Sequence, residues 1–368
     1  MAELPEDGES MRRVFPSFTL RKRAESGAIL IVVLWVVLIL SLMVGTFAFT
    51  MHIEMRLTGY HDQELKAKAL AMAGIEFERT LLAQDRLTAG QVNSADGSVR
   101  QFSSQNADYY SEPWHNNPDL VDHTLGDGTF TVRVVDEQSK LNANVITPEQ
   151  WRMLLQLCGL DLETANAIVD SVGDWIDKDS NNKFNGAEDD YYMSLSAEQN
   201  GPYHCKNGAL DRIEELLLIR GMTPEIFYGH HSEGSTDAEI TGVAQFLTTL
   251  PFIKVNVNTA SSQVLQCIPG VTSQMAEQLI RYRQGDDGVD GTDDDKPFEG
   301  VSEVANVWSG TMSRNELTQL QRYIDIRSSF FTIYSTGTVG KVRKTIVTTL
   351  YRADDGTFMT VSWNELTR

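Results

Sequence analysis

The residues best suited to holding an ion lie in positions 174–192, DWIDKDSNNKFNGAEDDYY. Taking Asp177 as position 1 of a twelve-residue loop puts Asp179 at 3, Asn181 at 5, Lys183 at 7, Asn185 at 9 and Glu188 at 12, the ligand spacing of a calcium loop. Position 7 donates its backbone carbonyl, so a lysine is allowed there. Oxygen donors at these intervals suit a hard dication, and without one the carboxylates repel each other. Ca2+ is therefore the expected ligand. The glycine usual at position 6 is Asn182, the residue type next most tolerant of left-handed backbone, so the turn is expected to survive. The competing reading is a solvated acidic loop.

A second acidic run, residues 286–295 (DDGVDGTDDD), carries six aspartates, with glycines at 288 and 291. It could hold another cation, but a disordered solvated loop is the preferred expectation. Enzyme signatures are missing: there is no H-E-x-x-H, G-x-S-x-G or G-x-x-x-x-G-K-[ST]. Gly337-Thr-Val-Gly-Lys341 has the wrong spacing for a phosphate loop, and His230-His231 reads as surface. The chain is not expected to be an enzyme. Its net charge is −20, from 31 basic and 51 acidic residues, which argues against a nucleic-acid partner, since phosphates would be repelled. Three cysteines, Cys158, Cys205 and Cys267, leave at least one unpaired, and their spacing does not say which pair, if any, bridges.

The elements that must position the loop read as α+β. Residues 86–128 are polar and predicted as loop. Residues 129–136 form a strand with Phe130, Val132 and Val134 on one face. Residues 330–338, 341–352 and 357–363 read as an antiparallel meander, with Val339-Gly340 and Asp355-Gly356 between them. Asp-Gly is a favoured two-residue hairpin turn because both positions tolerate positive φ. Residues 140–328 read as helical with an internal repeat. KLNAN (140–144) leads through a helix to Cys158-Gly-Leu160 and another helix; KVNVN (254–258) leads through a helix to Pro269-Gly-Val271 and another. Such hairpins resemble helix-hairpin-helix modules, whose turn amides can hold a DNA phosphate. The first copy, however, carries Asp161, Glu163, Asp170, Asp174 and Asp177, and in the second Arg281 and Arg283 are followed at once by Asp286 and Asp287. A membrane-anchored nucleic-acid binder of a DNA-uptake pilus is therefore the rival reading and not the favoured one.

Everything hangs from residues 21–50, RKRAESGAILIVVLWVVLILSLMVGTFAFT. Three basic residues precede Ser26-Gly27, and residues 28–50 then run 23 positions without a formal charge. At about 1.5 Å per residue that crosses the ~30 Å hydrocarbon core of a bilayer. A secretory signal would place its small-residue cleavage site after the apolar run, not before it. Beyond the span, residues 53–82 contain no proline and keep apolar positions at helical spacing, so the helix continues out of the membrane. The basic cluster puts the N-terminal side in the cytoplasm and the head outside.

This arrangement resembles the type IV pilin and pseudopilin family, in which a prepilin peptidase cleaves after glycine. The resemblance implies processing between Gly27 and Ala28, with Ala28 the N-methylated first residue. Pilins usually carry glutamate at the fifth mature position; here that place is Val32. Lack of that glutamate, together with NGAEDDYY (185–192), KNGALD (206–211), EELLLIRGM (214–222) and VNVNTA (255–260), is similar to the K-subunit (GspK) family of type II secretion minor pseudopilins. The resemblance implies a pilin-like long N-terminal helix packed on an antiparallel sheet, with a large inserted α-helical domain that binds calcium. The implied divisions are a leader at 1–27, a transmembrane segment at 28–51, the first part of the periplasmic head at 52–139, the insert at 140–328 and the closing strands at 329–368. It further implies an inner-membrane, single-pass protein with a periplasmic head, a place at the pseudopilus tip, and the minor pseudopilins I and J as partners.

Overall fold

The longest element is α1 (Glu25–Thr88), 64 residues of uninterrupted helix. The computed structural model describes residues 25–88, 107–199, 201–230, 240–308 and 312–366. Positions 1–24 of the expected leader and 89–106 of the expected loop lie outside them. By internal contacts the chain divides into two units, Met1–Asp62 and Gln63–Arg368. In the first, α1 passes through Gly27 and Ala28, and the side chains from Ile29 to Phe49 are exposed. This part of the helix is long and apolar enough to cross a membrane, and none of its most apolar window is buried.

In the second unit a five-stranded sheet follows the order β1 (His123–Leu125), β2 (Gly128–Asp136), β3 (Phe330–Val339), β4 (Val342–Arg352), β5 (Phe358–Leu366). Every neighbouring pair is antiparallel. These segments are strands because β-branched and aromatic residues alternate along them: Phe130, Val132 and Val134 of β2 and Phe331 and Ile333 of β3 point to one buried face. Threonine hydroxyls pair across the ladder at Thr332–Thr349 and Thr336–Thr345.

One turn departs from expectation. Asp355-Gly356 does not make a two-residue hairpin, because only Gly356 takes positive φ (+79°) and pairing stops at Arg352–Phe358. The Asp355 carboxylate instead accepts bonds from the Thr357 amide and hydroxyl at 2.9 and 2.6 Å, which holds Asp355 out of the left-handed region and lengthens the loop.

The sheet is covered by the second half of α1. Ala67, Leu70, Ala71, Ile75 and Leu82 share one face of the helix and join Phe130, Val132, Val134, Phe331, Ile333, Ile346 and Leu350 in one core. Helix and sheet meet closely enough that glycine is required. A Cβ on Gly337 would lie 1.9 Å from the Ala67 carbonyl oxygen, and one on Gly74 would lie 2.4 Å from Ser335 Oγ. Gly337→Ala is expected to cost about 2 kcal/mol by overpacking. Urea unfolding of the whole chain in detergent checks this, and an unchanged midpoint would contradict the contact.

Between β2 and β3 the chain builds a second core around Trp151, Leu154, Leu155, Ile168, Trp175, Tyr192, Phe227, Leu265, Met275, Phe298 and Trp308. The repeated hairpins are here: α2 (Pro148–Leu157) with α3 (Leu162–Ile176), and α4 (Ser262–Gln266) with α5 (Ser273–Arg283). Their turns depend on Gly159 (φ +99°) and Gly270 (φ +86°). Asp161 and Thr272 cap the following helices by accepting from Thr164 N and Met275 N. A third turn has the same build, with Gly221 (φ +87°) followed by the cap Thr223.

The repeated asparagines are structural. In each copy the first asparagine accepts from the amide of the second, Asn142 from Asn144 and Asn256 from Asn258. The second then clasps a distant peptide by donating to its carbonyl and accepting from its amide, Asn144 on Leu210 and Asn258 on Phe298. All three cysteines are buried and free, and burial pushes each thiol up to about 12.

The two cores meet where Asp136, at the end of β2, accepts from Asn256 Nδ2 at 3.1 Å, from the Ser328 and Thr259 hydroxyls and from Gln138 N. Beside it Arg352, fully buried, donates to Leu82 O, Asp85, Asp108 and Ser328 O.

Candidate metal centre

α3 ends at Ile176 with Asp177 as its C-cap. The chain then turns back along the helix, and the acidic residues of loop and helix face each other. Carboxylate oxygens of Asp177, Asp179 and Glu188 come within 4.8 Å of one another. Glu188 is buried, at 2% exposure, and among the described residues neither of its oxygens has a hydrogen-bond partner; Asp177 Oδ1 also lacks one there. Burial raises the Glu188 carboxyl above the usual range, and the charges of Asp174, Asp177 and Asp179 add to the rise. An unpartnered buried carboxylate facing two others is the donor set a hard dication would complete.

The other three expected ligands are placed differently. The Lys183 ammonium bridges Asp174 Oδ1 at 3.0 Å and Asp177 Oδ2 at 2.5 Å, while its backbone amide donates to Asp174. The Asn185 amide and side chain both donate to Asp170 Oδ2, at 3.1 and 3.0 Å. Asn181 donates to Asp179 Oδ1 from its backbone and from its side-chain nitrogen. Position 6 also departs from expectation: Asn182 is not in the left-handed region.

The physical reason is that the loop is pulled onto α3. A Cβ on Gly186 would lie 1.8 Å from Asp174 Oδ2, so only glycine allows this approach. Asp170 and Asp174 were therefore missed as part of the site. Their signal was available in the i, i+4, i+7 stripe of Asp170, Asp174 and Asp177 along one helix face.

Another group of carboxylates within reach of an ion, Asp85, Asp108 and Glu112, already has Arg352 against Asp85 and Asp108. The second acidic run is also folded. Asp290 accepts from Arg283 Nε and Nη2 at 2.9 and 3.0 Å, and Asp294 accepts from the amides of Asp286 and Asp287. Those amide bonds lower the Asp294 carboxyl to about 2. The expectation of a disordered loop is corrected accordingly: its carboxylates find backbone and arginine donors. His230 is exposed and pairs with Ile240 in a two-residue ladder; His231 lies outside the described residues.

A family model described as type II secretion system protein K matches residues 128–228, and a helix-hairpin-helix motif matches residues 251–294. Type II secretion system protein K of Pseudomonas aeruginosa is 24% identical over 347 residues, covering 91% of each chain. The Aeromonas hydrophila protein of that name is 22% identical over 90% of this chain and 95% of its own. Among solved structures, a chain of the GspK-GspI-GspJ complex from enterotoxigenic Escherichia coli superposes with a TM-score of 0.60 at 18% identity, covering 86% of this chain and all of that one.

Proposed function

We infer that this chain, which belongs to the type II secretion system protein K family, is a minor pseudopilin that caps the periplasmic pseudopilus and helps start its assembly. The observation that carries this is α1 itself: an exposed apolar half in the first unit and, in the second, a half packed on a pilin-like sheet. The apolar half supplies the anchor and the means of packing among other such helices in the inner membrane, and the sheet presents the head. The function is structural and not enzymatic.

Partners follow by analogy with the solved complex, which joins GspK to GspI and GspJ; the equivalent I and J subunits are the proposed companions here. A large insert between β2 and β3 would be hard to bury between stacked subunits, which favours the tip. Val32 suits that place, because a carboxylate in lipid without a partnering amine is costly. The head is proposed to be periplasmic, with 28–51 in the bilayer, 52–139 and 329–368 forming the pilin-like part and 140–328 the insert. Cleavage after Gly27 with methylation of Ala28 is proposed for maturation. Mass spectrometry of the membrane form should find Ala28 as the first residue; an intact Met1 would sink the pilin reading. Co-purification with the I and J subunits tests the assembly role.

The rival nucleic-acid reading is disfavoured by Arg283, the basic residue ending α5. It is 5% exposed and is held by the Val257 and Ala260 carbonyls and by Asp290, so its charge does not reach a phosphate.

We further propose that Asp177, Asp179 and Glu188 hold Ca2+, with Asn181, Lys183 O and Asn185 as the remaining donors of the spacing if the loop rearranges. Bound calcium would neutralise the facing carboxylates and tie the loop to α3. The full chain in detergent should melt lower in chelator and recover with calcium, by roughly 3 kcal/mol when the free ion is a hundredfold above its dissociation constant. An identical melt in both would remove the site.

A further inference from the structure

We propose that Lys183 is a tethered counter-ion that occupies part of the calcium site when the metal is absent and must give way when it binds. The inference rests on the calcium reading above and goes beyond it by naming the residue that sets the site's affinity. Its ammonium lies on Asp174 at 3.0 Å and on Asp177 at 2.5 Å. Asp174 is fully buried, and its carboxylate is met there by the Lys183 amide and ammonium. The stem is held as well: the nearest atoms to a Cβ on Gly173 would be Lys183 Cε, Nζ and Cδ at 3.0 to 3.3 Å. The space beside the helix at that glycine is taken by the lysine chain.

Compensation within the cluster is one-sided. Lys183 neutralises the Asp174 and Asp177 Oδ2 side, while Asp177 Oδ1 and both Glu188 oxygens have no partner among the described residues. One positive charge faces the four carboxylates Asp174, Asp177, Asp179 and Glu188. The cluster keeps a net negative charge that a second cation can answer, and Asp177 is the ligand that ammonium and metal share.

Two consequences follow. A dication entering beside Asp177 meets an ammonium only a few ångströms away, a like-charge repulsion that weakens binding. A monovalent ion exchanges one positive charge for another, and the tethered ammonium, present at high effective concentration, outcompetes it. Lys183 thus lowers calcium affinity, keeps the loop folded without metal, and leaves the site silent to sodium and potassium.

Calcium titration calorimetry and thermal melts on the full chain in detergent test this with Lys183→Met, which keeps the stem and removes the charge, and with Lys183→Arg, which keeps the charge. Lys183→Met is expected to bind calcium at least tenfold more tightly than wild type, to melt lower than wild type in chelator, and to gain more from added calcium. Lys183→Arg is expected to stay within about threefold of wild type. Wild type that binds calcium, with Lys183→Met binding equally or more weakly, overturns the counter-ion role and leaves the calcium site standing. No binding by wild type or by either variant overturns the calcium reading, and this inference with it. If Lys183→Met fails to fold without metal, purification in calcium followed by chelator-competition titration gives the same affinity comparison.

Discussion

Arg352→Met is expected to destabilise the head by roughly 3–5 kcal/mol, the cost of removing one partner from a buried charge cluster. The guanidinium is fully buried. It donates to Asp85 at 2.8 Å, to Asp108, and to the Leu82 and Ser328 carbonyls at 3.1 and 2.9 Å, and lies over the Phe331 ring with its carbon 4.7 Å from the centroid. It therefore joins the end of α1, the segment after residue 107 and β4. Without it, Asp85, Asp108 and Glu112 face one another with no cation from β4.

Burial already raises the Asp108 and Glu112 carboxyls, and loss of the guanidinium raises Asp108 further. A carboxyl with a raised folded-state pKa stabilises most at low pH and loses that contribution as pH rises. The deficit of Arg352→Met should therefore be larger at pH 8 than at pH 5, and Asp108→Asn in that background should recover part of it. Urea unfolding at the two pH values measures this; a deficit under about 1 kcal/mol at both would show that the cluster is not held by Arg352.

The second large effect has the opposite sign. Glu78→Met should stabilise the protein near neutral pH by roughly 3 kcal/mol. Glu78 lies on α1 outside the proposed span, at 0% exposure, and neither oxygen has a hydrogen-bond partner among the described residues. Burial alone raises its carboxyl from 4.5 to about 9. At pH 7 the folded chain must carry a proton there that the unfolded chain has lost. With about 1.4 kcal/mol per pH unit, the 2.5 units between 4.5 and 7 set the size of the penalty. The sign follows directly: stability is fullest below pH 4.5 and falls as pH rises towards 9. Methionine keeps the unbranched stem, suits a helix and has no proton to lose. The wild type should thus lose stability between pH 5 and 8 relative to Glu78→Met, and parallel curves would show that the carboxyl is not held protonated.

Much of the architecture was legible locally. Residues 330–338 and 341–352 are strands within a residue or so of expectation, because alternation and β-branched content are properties of the segment itself. That α1 continues beyond the apolar span followed from its apolar spacing after residue 53. The acidic cluster was half legible. Asp177, Asp179 and Glu188 converge as the calcium-loop spacing requires, whereas Asn185 bonds to Asp170 and Lys183 to Asp174. A spacing rule assumes a free-standing loop, and this one is pressed onto α3 at Gly186. The Asp355 turn failed for a related reason: a side chain bonded to its own loop and overrode a dipeptide preference.

The uncharged helix, the strands of the meander, the twin glycine hairpins and the acidic loop were legible in the sequence, since each is decided by residues a few positions apart. Only the tertiary structure decided which charges are paired. Arg352 finds Asp85 across 267 positions, Asn256 finds Asp136 across 120, and Glu78 finds no partner among the described residues, because burial and partnership belong to surfaces that exist only once the sheet has closed on the helix.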